Sequence, residues 1–116
     1  FEASFGTSRE RFDYYARKRL ENAHLQNTAP TYGWVKEAVG VTKVLLDKEL
    51  DRQIETPLLL CQASRDTVVC LPEQNRFVSL LPHAQLRAFD AKHEIYMSTN
   101  DIMREYVPTV IEFLRG

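Results

Sequence analysis

Cysteine is nearly absent from this chain of 116 residues. The two present, Cys61 and Cys70, fit neither a disulfide framework nor a C-x-x-C metal or redox pair, so both are expected to be reduced and packed, as in a reducing compartment. Long apolar runs are missing as well. The longest, around Leu58, Leu59, Leu60 and Cys61, falls far short of the roughly 20 residues a membrane-spanning helix needs. Neither sign of charge is in excess: 15 basic and 16 acidic residues give a net charge of −1, shared evenly between the halves, which excludes the simplest nucleic-acid and polybasic-membrane readings. With only four Gly and five Pro the chain is neither collagenous nor low in complexity, and no internal repeat is present. No charged start leads into an apolar stretch and a cleavage site, so no signal peptide is read. The opening "FEASFGTSRE" lacks methionine, so a trimmed or partial chain is expected. What remains is 44% apolar and 10% aromatic, enough to build a core.

The first half carries helical periodicity. Thr7 with Glu10 reads as a capping box, and Phe12, Tyr15, Ala16 and Leu20 place one apolar stripe on a helix from about 8 to 22. "HLQNTAPTYG" reads as a loop. Trp34, Ala38, Val41 or Thr42, and Leu45, beside Val35, Val39 and Leu46, predict a second helix continuing to about Leu50, slightly weakened by Gly40.

The second half changes character after "DRQIETP". "LLLCQAS" is an apolar run of strand length, the kind covered on both faces. Pro72 opens a helix with Phe77, Leu80 and Leu81 inward, "LPHA" stops it, and "QLRAF" supplies a second strand. Ser98, Thr99 and Asn100 offer caps for a last helix with Ile102, Tyr106, Val110, Phe113 and Leu114 inward; Pro108 should kink it or delay its start. Strand, helix, strand, helix makes an α/β unit with two parallel strands. Such a sheet leaves unpaired edges, so further strands are expected from an N-terminal segment, a second polypeptide or a swapped copy.

In a parallel sheet the functional end is the carboxyl ends of the strands. Asp66 follows the first strand and His93 the second, 27 residues apart, the span of one crossover, so both side chains belong on one rim. A carboxylate on one imidazole nitrogen leaves the other as a general base and acid. Asp90, close before His93, is a rival carboxylate. His24 and His83 lie in polar loops and read as surface residues, and Glu94 reads as structural. "HE" at His93 cannot begin a zinc protease motif, because the second histidine position is Met97. "RERFDYYARKR" mixes five basic residues with aromatics and reads as a solvated amphipathic helix rather than a nucleic-acid surface.

From about Ile54, "TPLLLCQASRDTVVCLPEQNRFVSLLPHAQLRAFDAKHEIYM" and the final helix resemble the C-terminal part of an α/β-hydrolase. The branch is that of monoacylglycerol lipases and bacterial lysophospholipases, and "PTYGWVKEA" with its flanking helices resembles their cap. The resemblance covers nearly the whole chain and implies a partial α/β-hydrolase fold: a helical cap segment over 1–53 and a βαβα part of the catalytic domain over 54–116. It implies that Asp66, in the family's D-x-V-V pattern, is the catalytic acid and that His93, in its H-E, is the catalytic histidine. Ser64 and Asp90 stand where relatives usually carry glycine. The family's serine lies on a G-x-S-x-G elbow upstream of the cap. No such motif occurs here; Ser4, Ser8, Ser64, Ser79 and Ser98 all lack the flanking glycines.

The resemblance therefore implies a serine esterase piece, inactive by itself, that meets a missing N-terminal half carrying the serine. The implied substrate is a lysophospholipid or monoacylglycerol ester. No cofactor, metal or nucleic acid is implied, and the location is the bacterial cytoplasm with loose attachment to the inner membrane. Tyr14, Tyr15, Tyr32, Trp34 and Val35 either line an acyl entrance or dock the cap; substrate-binding residues are not identified. The rival reading is a non-catalytic module of the same fold that self-associates through its open sheet edge.

Overall fold

The computed structural model describes residues 1–26, 29–45 and 54–116. Helix α1 runs Arg9–Glu21 and α2 Tyr32–Leu45; strand β1 is Leu58–Ala63, α3 Leu71–Leu80, β2 Ala84–Phe89 and α4 Asn100–Arg115. The expected continuation of α2 over 46–50, Asn27 and Thr28 of the first loop, and the 53/54 boundary lie outside the described residues.

The two strands pair in parallel, from Leu58 opposite Ala84 to Ala63 opposite Phe89, with α3 as the crossover, so this part is an α/β unit as expected. The core lies at the carboxyl end of the sheet. Ala63, Phe89, Ala91 and Ile95 are buried together, with Cys61, Ile102 and Tyr106 packed on them. Phe89 and Tyr106 meet edge to face at 5.4 Å, a geometry in which the positive ring edge meets the negative ring face. Buried Gln62 carries its Nε2 to within 2.9 Å of Gln74 Oε1 and 3.0 Å of Asn75 Oδ1, tying β1 to α3.

Several boundaries differ from expectation. Ser8, not Thr7, caps α1, its Oγ accepting from the Arg11 N–H at 3.3 Å. Thr7 Oγ1 accepts instead from the Thr99 N–H at 3.2 Å, because a long-range partner is there to take it. Tyr32 and Gly33 belong to α2 rather than to the loop, the Thr31 Oγ1 accepting from the Trp34 N–H. Pro108 neither delays nor ends α4, which runs through it. The missing proline N–H removes one intrahelical bond, a cost carried by the strongly amphipathic helix as a whole. Thr99 begins α4 without a side-chain cap bond: the Ser98 hydroxyl is buried with no partner among the described residues, and Asn100 Oδ1 accepts from Arg11 Nη2. Leu114 and the packed Cys70 were expected inside; both are exposed.

The described helices of the first half bury little, with Phe12, Ala16 and Ala38 no more than half-buried. Neither α1 nor α2 contains a buried residue, and Tyr15, Leu20, Trp34, Val35 and Val39 of the expected apolar faces are all exposed. The chain exposes 8939 Å², where a compact monomer of its 13.5 kDa would expose about 6,500 Å². Its radius of gyration, 16.4 Å, likewise exceeds the roughly 13 Å of a compact domain of this length. Among the described residues the exposed surface includes apolar helix face, Leu20, Tyr32, Trp34 and Val39 among it, of the kind that proteins ordinarily cover.

Candidate active site

The strands hand their geometry to the loops that follow. Beyond the Ala63–Phe89 pair, the Ser64 N–H donates to Phe89 O at 2.9 Å and the Arg65 N–H to Ala91 O at 3.0 Å, so both loops leave the same rim side by side. The chain then turns, the Asp66 N–H donating to Ala63 O at 3.1 Å. Asp66 uses its two oxygens differently. Oδ1 accepts the N–H groups of Val68 at 2.8 Å and Val69 at 3.2 Å, a local turn that an aspartate builds with the backbone just after it. The two backbone donors lock the carboxylate and leave Oδ2 for a partner across the rim.

Oδ2 meets His93. His93 Nδ1 lies 2.8 Å from it, with the Asp66 side chain 4% exposed and that of His93 36%. Burial, the largest single influence, pushes the Asp66 carboxyl up; the bonds from His93, Val68 and Val69 together outweigh it and hold the group below its ordinary value of 3.8. The carboxylate is therefore ionised at neutral pH and can only accept, so Nδ1 carries the proton of the neutral imidazole. Nε2 is left with a lone pair and, among the described residues, no hydrogen-bond partner. An imidazole held this way can take a proton at Nε2 while the carboxylate stabilises the resulting cation.

Asp90 does not compete for the ring. Its carboxylate pairs with Arg65, Nε to Oδ1 at 2.7 Å, while Arg65 Nη2 also donates to the Asp90 carbonyl at 2.8 Å. His24 and His83 are exposed, as expected. Burial pushes the Cys61 thiol up, away from nucleophilic use. Among the described residues no three His, Cys, Asp or Glu side chains gather as a metal site would require. Tyr14 and Tyr15 line a groove with Arg11, Tyr96 and Met97, whereas Tyr32 and Trp34 stand exposed on α2 and do not line it. The sequence reading missed Phe5, whose ring meets that of His93 edge to face with centroids 5.9 Å apart. No local pattern signals it, since the contact joins residues almost at opposite ends of the chain.

The chain is 26% identical over 105 residues to a protein of Haemophilus influenzae (strain ATCC 51907 / DSM 11121 / KW20 / Rd) described as "Probable lysophospholipase L2". The match takes in 90% of this chain and 33% of that protein, so the chain spans about a third of its relative's length. No family model matches the chain, and no solved structure matches it. This distant likeness supports an α/β-hydrolase-like relationship and a hydrolase-like origin. Among the described residues no helix is long and apolar enough to cross a membrane.

Proposed function

We propose that this chain is the acid- and histidine-bearing portion of a serine ester hydrolase acting on lysophospholipids or monoacylglycerols. The observation that carries the reading is the 2.8 Å contact between His93 Nδ1 and an Asp66 carboxylate already locked by two backbone donors. The likeness to a relative described as a probable lysophospholipase supports the substrate class. In this reading residues 1–53 form a helical cap and 54–116 close the catalytic domain. The excess of exposed surface is the face that meets the remainder of the enzyme, which brings the serine. A peripheral membrane contact would fall on α1 and α2, where Tyr14 beside Arg17 on α1 and Tyr32 and Trp34 on α2 are exposed.

The mechanism follows from the two side chains. His93 Nε2 takes the proton of the serine hydroxyl as its oxygen attacks the ester carbonyl, and the imidazolium formed is stabilised through Nδ1–H by Asp66. His93 then returns the proton to the leaving glycerol oxygen, and the acyl-serine is cleared by water deprotonated at the same nitrogen. The same open surface also favours a second reading, a self-associating module without catalysis. Hydrolysis of a lysophospholipid by the full protein, lost on His93→Gln with folding retained, supports the first; a stable homodimer with no His93-dependent hydrolysis supports the second.

A further inference from the structure

His93 stands where no strand or α-helix holds it. β2 ends at Phe89 and α4 does not begin until Asn100, so the imidazole hangs on a loop whose only regular piece is a short 3₁₀ turn, Ile95–Met97. A group that must aim one nitrogen at a carboxylate and the other at a substrate needs its loop fixed by something rigid. Residues 4–8 supply the fixing. Phe5 O accepts the N–H of Glu94, the residue after His93, at 3.0 Å, and Met97 O accepts the N–H groups of Thr7 and Ser8 at 3.1 and 2.9 Å. Before His93, Lys92 Nζ donates to Ser4 O at 3.1 Å; beyond it, the Thr99 N–H donates to Thr7 Oγ1 at 3.2 Å. The ties thus fall on both sides of His93.

Between them Phe5 packs directly on the ring. The two ring planes stand at 79°, so Phe5 bears on the imidazole while Asp66 holds Nδ1, and the ring is confined by two unrelated segments. Gly6 lets the strap lie this close. A Cβ there would sit 2.7 Å from Met97 Cβ and 2.9 Å from Met97 O, and Met97 is buried, with that same carbonyl already engaged by the strap. Gly6 has no positive φ, so the glycine is required for space rather than for backbone conformation.

We infer that residues 4–8 are a strap that aims His93, with Phe5 and Gly6 as positioning residues for its imidazole. The inference rests on His93 being the base of the proposed site, but the aim of the ring is measurable without turnover. The test is long-range proton–nitrogen NMR of the His93 ring in the protein, which reads the tautomer directly. Wild type is expected to hold the neutral ring as the Nδ1–H form, and Asp66→Asn to lose it. Gly6→Ala and Phe5→Ala are expected to give the mixed tautomers of a free imidazole while dispersion elsewhere stays native. Phe5→Tyr, which keeps the edge contact, should retain Nδ1–H. So should Phe1→Ala, which removes the contacts of the Phe1 ring with Phe12 and with the Arg9 guanidinium. If Gly6→Ala does not fold, Lys92→Met, which releases the Ser4 end together with the longer bond to Glu2 O, is expected to show a partial shift toward the mixture. A pure Nδ1–H ring persisting in the strap variants would overturn the strap and leave the Asp66–His93 pair standing. A wild-type ring without Nδ1–H would overturn the pair and the strap together.

Discussion

The two oxygens of Asp66 have separate jobs, and two substitutions separate them. In Asp66→Asn the amide oxygen can take the place of Oδ1 and keep the N–H groups of Val68 and Val69, now held at 2.8 and 3.2 Å. The amide nitrogen then replaces Oδ2 and presents a donor to His93 Nδ1, exchanging a charge-assisted bond for a neutral one at a cost of about 1 kcal/mol. Asp66→Ala removes that bond and also orphans both backbone donors. Val68 and Val69 are exposed, so each lost bond costs its net worth of about 1 kcal/mol, and the total comes to about 3 kcal/mol. Urea unfolding should therefore place Asp66→Ala about 2 kcal/mol below Asp66→Asn, with midpoints moved and slopes unchanged. The advantage of wild type over Asp66→Asn also depends on pH. The folded carboxyl is held below its ordinary value of 3.8, so the folded state binds its proton later than the unfolded chain on acidification. The contribution is complete above that ordinary value and drains away as pH falls through the depressed one. Equal stability of the alanine and asparagine variants, or a gap between wild type and Asp66→Asn that widens in acid, would refute the division of labour between the oxygens.

Asp90→Asn should change stability by less than about 0.5 kcal/mol, because its ion pair with Arg65 is solvent-exposed, and should leave the His93 tautomer untouched; a changed tautomer in the NMR spectrum would mean that Asp90 shares the ring. Ser98→Ala should stabilise the chain by about 1 kcal/mol, since it deletes a fully buried hydroxyl with no partner among the described residues. A thermal scan reading a lower midpoint for Ser98→Ala would show that the hydroxyl is satisfied after all.

Most of the second half was legible because its signals are local. The apolar run at Leu58–Ala63, Pro72 in the first turn of α3 and the polar breaks between them depend on nearest neighbours, and the crossover length alone places Asp66 and His93 on one rim. The first half was legible as helices but not as packing. Phe12, Tyr15, Ala16 and Leu20 do form a helical stripe, yet Leu20 and Tyr15 remain exposed, because periodicity says which face wants cover and not whether this chain supplies it. Capping failed for a similar reason. Thr7 and Ser8 both suit an N-cap, and the choice went to Ser8 because the Thr99 backbone, far along the chain, occupies Thr7. The strap over His93 had no local signal, since every tie in it joins residues from opposite ends of the sequence.

In the proposed function Asp66 and His93 serve a serine nucleophile carried by the rest of the protein. The most direct measurement is intact and peptide mass spectrometry of the full protein after reaction with a fluorophosphonate, in wild type and in folded His93→Ala. One adduct is expected, on a serine outside these 116 residues, and it should form far more slowly in the variant. An adduct that forms at the same rate without His93, or no adduct in the folded wild type, would contradict it.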